Sequence, residues 1–139
     1  MSAPTFRLIG TAPAVTELVI GFRDAAVRRV CTVKGTAAAT LKRGLILVRG
    51  ADGKFGALKA ADIDATATGF PSGVLAVLEQ DVVVPAGGEL PAQTVVRGEV
   101  AADLLLLEAS AWGAVSEANR VKLENLLTAS GIVPGAVVR

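Results

Sequence analysis

The chain contains no histidine and no tyrosine, a single cysteine, a single tryptophan and four phenylalanines in 139 residues. Each scarcity closes a route. Without histidine, Ser-His-Asp and Cys-His catalysis and imidazole metal sites are excluded. Cys31 alone forms neither an intrachain disulfide nor a cysteine-based zinc site. Phe6, Phe22, Phe55, Phe70 and Trp112 are scattered, so the sequence lacks the stacking platforms typical of single-stranded nucleic-acid modules. No apolar run approaches the roughly 20 residues of a membrane-spanning helix. "MSAPTFRLIG" lacks a charged stretch followed by an apolar core, so no signal peptide is read and synthesis in a cytoplasm is expected.

What remains is apolar and small. Hydrophobic residues make up 52% of the chain and aromatics only 4%, with 15 glycines and many alanines. One domain of this length buries roughly two-thirds of its unfolded surface. Small side chains bring little area each, at about 25 cal/mol per Å² buried. Such a chain gains from burying further surface in an oligomer.

Charge is unevenly spread. Residues 1–60 carry ten Lys/Arg and three Asp/Glu, or +7; residues 61–139 carry four and ten, or −6; together they give the net +1. A basic first half can meet nucleic acid or an acidic protein surface, or it can pair with the acidic second half inside one fold.

"TLKRGLILVRGADGKFGAL", Thr40 to Leu58, sets four cationic residues and four glycines around one apolar run. The phosphate-loop pattern needs a hydroxyl after Gly-Lys, and Gly53-Lys54 is followed by Phe55. Gly50, Gly53 and Gly56 do not make the dinucleotide fingerprint either. The stretch reads as a β-hairpin: a strand over Leu45–Val48, a turn at Asp52-Gly53, and a return strand from Lys54.

Elsewhere, Met1–Ala14 reads as an extended arm and residues 15–139 as one β-rich domain. Val15–Phe22, Ala26–Val33 and Leu90–Val100 are strand candidates, the last broken at Gly98. Gly73–Val84 is expected to be a buried strand or strand pair. Ala61–Gly73 reads as a loop; Asp62 and Asp64 there lack the remaining ligands of a calcium loop, and Asp81 is expected at a bend. Asp103–Ser110 fits either a helical turn or a strand. One helix is clear: Ser116 as N-cap, Glu117 in the first turn, a stripe of Leu123, Leu126 and Leu127 with Asn119 and Ser130, and Gly131 as its stop. "IVPGAVV" closes the chain as a strand. Trp112 is either core or an interface anchor, since a buried tryptophan serves both. The fold class is thus mainly β with one carboxy-proximal α-helix.

The order of these segments resembles a known family. "ATLKRGLILVR", "GKFGAL", a polar loop, "PSGVLAVLEQDVVV", "VVRGEV" and "NRVKLENLLTASGIV" look like the bacteriophage head decoration, or capsid cement, proteins of the lambda decoration-protein type. The likeness runs from about Thr36 to Val133. It implies a small β-rich decoration domain that forms a homotrimer on the outer surface of the virion capsid. There it sits at threefold and quasi-threefold positions over the major capsid protein, binds the expanded shell and holds it against internal DNA pressure. It implies no enzymatic activity, no cofactor, no metal, and no contact with nucleic acid or membrane. It also implies that the arm, at Thr5, Phe6, Arg7, Leu8 and Ile9, meets the capsid, where an extended segment can add a strand to a sheet edge. The alternative is another oligomeric β-rich virion module, such as a tail or surface component. A further alternative is a small cation-using enzyme or ligand-binding domain built on Asp62, Asp64 or Asp81.

Overall fold

A computed structural model describes residues 18–20, 26–35, 38–64 and 74–136. The protein is mostly strand. In chain order come β1 (Val27–Lys34), β2 (Ala39–Leu41), β3 (Ile46–Arg49), β4 (Phe55–Ala57), a five-residue helix α1 (Ala60–Asp64), β5 (Leu75–Leu78), β6 (Val82–Val84) and β7 (Glu89–Ala101). A short hairpin β8 (Leu106–Leu107) and β9 (Ser110–Ala111), helix α2 (Glu117–Ala129) and β10 (Ile132–Gly135) complete it.

Five strands close a barrel in the order β1-β4-β3-β5-β7, with β7 returning to β1 and β10 attached outside the ring to β7. β1 runs antiparallel to β7 along its whole length, from Val27↔Arg97 to Lys34↔Glu89. The opposite seam is thin: β1 and β4 are parallel and meet at Val33↔Phe55 alone. Closure removes most of the open edges that make a small sheet prone to aggregation.

Two cores share the barrel wall. Val33, Phe55, Leu47, Ala76, Leu78 and Ala92 come from all five ring strands and fill the interior, with Val82 and Val84 of β6 in the same cluster. The alternate residues Ile46, Leu75, Val77 and Val95 face outward and pack under Leu123 and Leu127 of α2, together with Leu58, Leu105, Trp112 and Ile132. This explains why "LILV" and "LAVL" show no apolar–polar alternation: each strand is buried on both faces. Ala76 and Ala92 keep the interior narrow enough for few large side chains to fill it.

β7 is 13 residues long because it serves two sheets. Up to Arg97 it pairs with β1; from Gly98 to Ala101 it pairs in parallel with β10. Gly98, at φ +133°, makes the change of partner, where a Cβ would lie 3.0 Å from Ala26 Cα. On its other side, Leu18–Ile20 runs antiparallel to this second half, Ala101 N–H donating to Leu18 C=O at 2.7 Å and Ile20 N–H to Glu99 C=O at 3.0 Å. Only those three residues of the expected Val15–Phe22 strand are described, and Met1–Ala14 lies outside the described residues.

The hairpin is formed as expected. Leu47, Val48 and Arg49 of β3 face Ala57, Gly56 and Phe55 of β4. The Asp52 carboxylate accepts from the Lys54 backbone N–H at 3.0 Å and stabilises the turn. Gly73–Val84 is a strand pair, β5 and β6, but the two join different partners. Ala102–Leu104 is a 3₁₀ turn and Leu106–Ala111 a hairpin, so Asp103–Ser110 contains both of the structures open to it. Ala60–Asp64 corrects the loop reading of Ala61–Gly73 in its first part: Ile63 is buried in the outer core, which holds one turn of helix that local propensity does not signal.

Candidate interaction surfaces

The charged halves of the chain meet across the fold. Arg28 Nε donates to Glu79 Oε1 at 2.7 Å, Lys54 Nζ to Glu89 Oε2 at 2.7 Å, and Lys42 Nζ lies 3.8 Å from Asp81. Lys34 pairs within the first half, with Asp52 at 2.7 Å. The basic flanks of the hairpin are therefore engaged at Lys54 and Lys42 by acids from residues 61–139. Two of these ions are tuned. Hydrogen bonding from Lys34, and then from the Lys54 backbone, holds the Asp52 carboxyl below its ordinary range. The Glu89 carboxylate raises Lys54 above the ordinary amine value.

Asp81 sits at the bend between β5 and β6, as expected. One oxygen accepts from the Arg43 backbone N–H at 2.7 Å, and the other faces Lys42. Its carboxylate thus ties the turn before β3 to the start of β6. The side chains of Asp62 and Asp64 lie outside the described residues. Among the described residues no three acidic or cysteine side chains gather as a metal site, and no helix is long and apolar enough to cross a membrane.

Trp112 belongs to the outer core and is 8% exposed. It opens a 3₁₀ turn leading to Val115, whose N–H returns to the Trp112 C=O at 3.2 Å. Of its two candidate roles, the core one accounts for nearly all of its surface. Thr5, Phe6, Arg7, Leu8 and Ile9 lie outside the described residues.

Two surfaces were not legible in the sequence. The first is a set of exposed valines: Val30 is 72% exposed on β1 and Val83 67% exposed on β6, with Val27 of β1 and Val133 of β10 less so. Periodicity could not find Val30, because β1 does not alternate strictly. The second is a groove between β2 and β4. One part, about 560 Å³, is walled by Gly35, Ala39, Gly56 and Gly87 with Lys34, Lys59 and Glu89 at its rim. The other, about 350 Å³, runs to Leu45, Leu106 and Glu108, and Leu41 and Ala57 line both. β2 pairs only with β6, and β4 leaves β1 after Phe55, so each wall carries a strand side with no strand neighbour among the described residues.

Compared with known proteins, the chain matches no family model, no curated protein and no solved structure.

Proposed function

We propose that this protein is a structural capsid decoration protein, which binds the outer surface of an expanded phage head as a homotrimer and stiffens the shell against internal DNA pressure. The reading rests on the resemblance, in order and spacing of segments from Thr36 to Val133, to the decoration proteins. In the structure that span holds four of the five ring strands, β3, β4, β5 and β7, together with β2, β6, the helix α2 and the start of β10; the ring strand β1 precedes it.

Two physical features support it. The barrel interior is built largely from alanine, valine and leucine, so the fold leaves room for added stabilisation by subunit contact. The exposed Val30 and Val27 on β1 offer apolar surface for such a contact. On this reading the major capsid protein is the partner, Thr5–Ile9 is the segment that engages it, and three arms on one trimer bind with high effective concentration.

The test is co-sedimentation of purified protein with expanded, undecorated heads of its own phage, with unexpanded heads as control and light scattering for the free mass. Saturable binding of a trimer to expanded heads alone is expected. Removal of Met1–Ala14 is expected to abolish binding and leave the trimer. A folded protein that ignores heads and is recovered with isolated tails would replace this reading with the tail-component one.

A further inference from the structure

We propose that the barrel opens at the seam between β1 and β4, and that the ion pairs Lys34–Asp52 and Lys54–Glu89 are a salt-sensitive latch across it. The inference concerns the free chain and does not rest on the shell-binding reading.

The seam is the weakest join of the ring. β1 is in register with β7 from Val27↔Arg97 to Lys34↔Glu89, and β4 with β3 from Leu47↔Ala57 to Arg49↔Phe55. Between β1 and β4 the register has a single partner pair, Val33↔Phe55. β5 and β7 also meet briefly, at Val77↔Val95 and Leu78↔Thr94, but Glu79 N–H extends that join by donating to Gln93 C=O at 3.0 Å. Past the bridge the seam is loosely packed. A Cβ on Gly56 would find one atom, the Lys34 carbonyl oxygen at 3.9 Å, and the groove of about 560 Å³ has Lys34, Gly35, Gly56 and Ala57 in its walls. When this join parts, β1 stays on β7 and β4 stays on β3, so both longer ladders remain paired.

The latch lies over the bridge. Val33 and Phe55 belong to the interior core, and side chains alternate along a strand, so Lys34 and Lys54 lie on the outer face. There the pairs cross. Lys34 Nζ reaches Asp52 Oδ2 in the hairpin turn, and Lys54 Nζ reaches Glu89 Oε2 on β7, both at 2.7 Å. Each pair ties one side of the seam to the other. All four side chains keep between 39% and 49% of their surface in water, so dissolved ions reach them. The screening length falls from about 30 Å at 0.01 M ionic strength to about 3 Å at 1 M. Burial of Val33 and Phe55 keeps the open form a minor one, and the latch sets how minor.

The experiment reads thiol access in the full chain. In a Cys31→Ser background, Val33→Cys places a reporter inside the ring at the seam, and Val77→Cys places a control in the outer core under α2; both positions are fully buried. Ala76→Cys, equally buried on the interior wall of β5, replaces the first reporter with the same expectations if Val33→Cys does not fold. Alkylation by uncharged iodoacetamide is followed in 0.01 M and 1 M sodium chloride. Val33→Cys is expected to react at least about tenfold faster than Val77→Cys, and about threefold to tenfold faster in high salt than in low. Adding Asp52→Asn and Lys54→Met should give the fast rate at low salt and remove the salt dependence. Equal rates at the two buried positions would mean that the interior opens only by global unfolding, which overturns the proposal. A Val33→Cys rate that neither salt nor the added substitutions change overturns the latch. None of these outcomes involves a capsid, so failure here leaves the decoration reading to its own test.

Discussion

Lys54, in the turn of the β3–β4 hairpin, reaches across to Glu89 at the first position of β7, with 2.7 Å between Nζ and Oε2. Lys34, the residue of β1 that pairs with Glu89 in the sheet, holds Asp52 on the other side of the same turn. The two ion pairs therefore bracket the thin β1–β4 seam, where one bridge closes the barrel.

Both pairs predict a pH window. Asp52 titrates below its ordinary value of 3.8, so its contribution to stability is complete above that value and is lost as pH falls through the lowered one. Lys54 titrates above 10.5, so its contribution is complete below that value and is lost as pH rises through the raised one. Thermal unfolding against pH should show Asp52→Asn flattening the acid limb and Lys54→Met the alkaline limb. Each effect should be small and shrink with added salt, since the groups are exposed.

Gly44 and Gly53 both have positive φ, +95° and +81°, yet they should respond differently to alanine. At Gly44 a Cβ would collide with the Leu104 carbonyl group, backbone atoms that cannot rotate away. At Gly53 nothing lies within 4 Å. Gly44→Ala should cost about 3 kcal/mol or more, from strain and steric conflict together, and Gly53→Ala about 1 kcal/mol. Chemical denaturation of the two variants checks the difference.

Among the described residues Thr94 is the buried polar one, fully inaccessible. Its hydroxyl donates to the Arg29 C=O at 3.1 Å and lies 3.3 Å from Cys31 Sγ. Thr94→Val keeps the volume and leaves that carbonyl without its side-chain partner, a loss of about 1 kcal/mol. Thr94→Ser keeps the donor but empties a methyl's space, so it should cost a comparable amount by a different route. Denaturant midpoints of the two variants, with Cys31→Ser added to each, should separate the hydroxyl's share from the methyl's.

Ser116 Oγ accepts from the Asn119 N–H at 3.3 Å and caps α2. Ser116→Ala should lower stability by about 1 kcal/mol, and Ser116→Asp should recover it, since a carboxylate also suits the helix N-terminus. Equal midpoints for all three chains would show that packing of Leu123 and Leu127 alone holds the helix.

The sequence by itself determined the parts whose causes lie within a few residues. Asp52-Gly53 made the β3–β4 turn, Ser116 and Gly131 bounded the helix α2, and Gly98 marked the point where β7 changes partner. The tertiary structure decided what depends on distant neighbours. Closure of the barrel through Val33 and Phe55 joins strands that carry no mutual local signal. Two-sided burial of β3 and β5 erases the alternation that would have told inside from outside. Ile63 becomes helical because the outer core takes its side chain. Trp112 could not be assigned in advance, because a tryptophan buried by its own chain and one kept for a partner look alike until packing around it is known. The groove between β2 and β4 is a property of two strands diverging in space, and Ala39, Gly56 and Ala57 announce no function on their own. Local chemistry sets turns and caps; only the sum of many small apolar burials selects which strands meet.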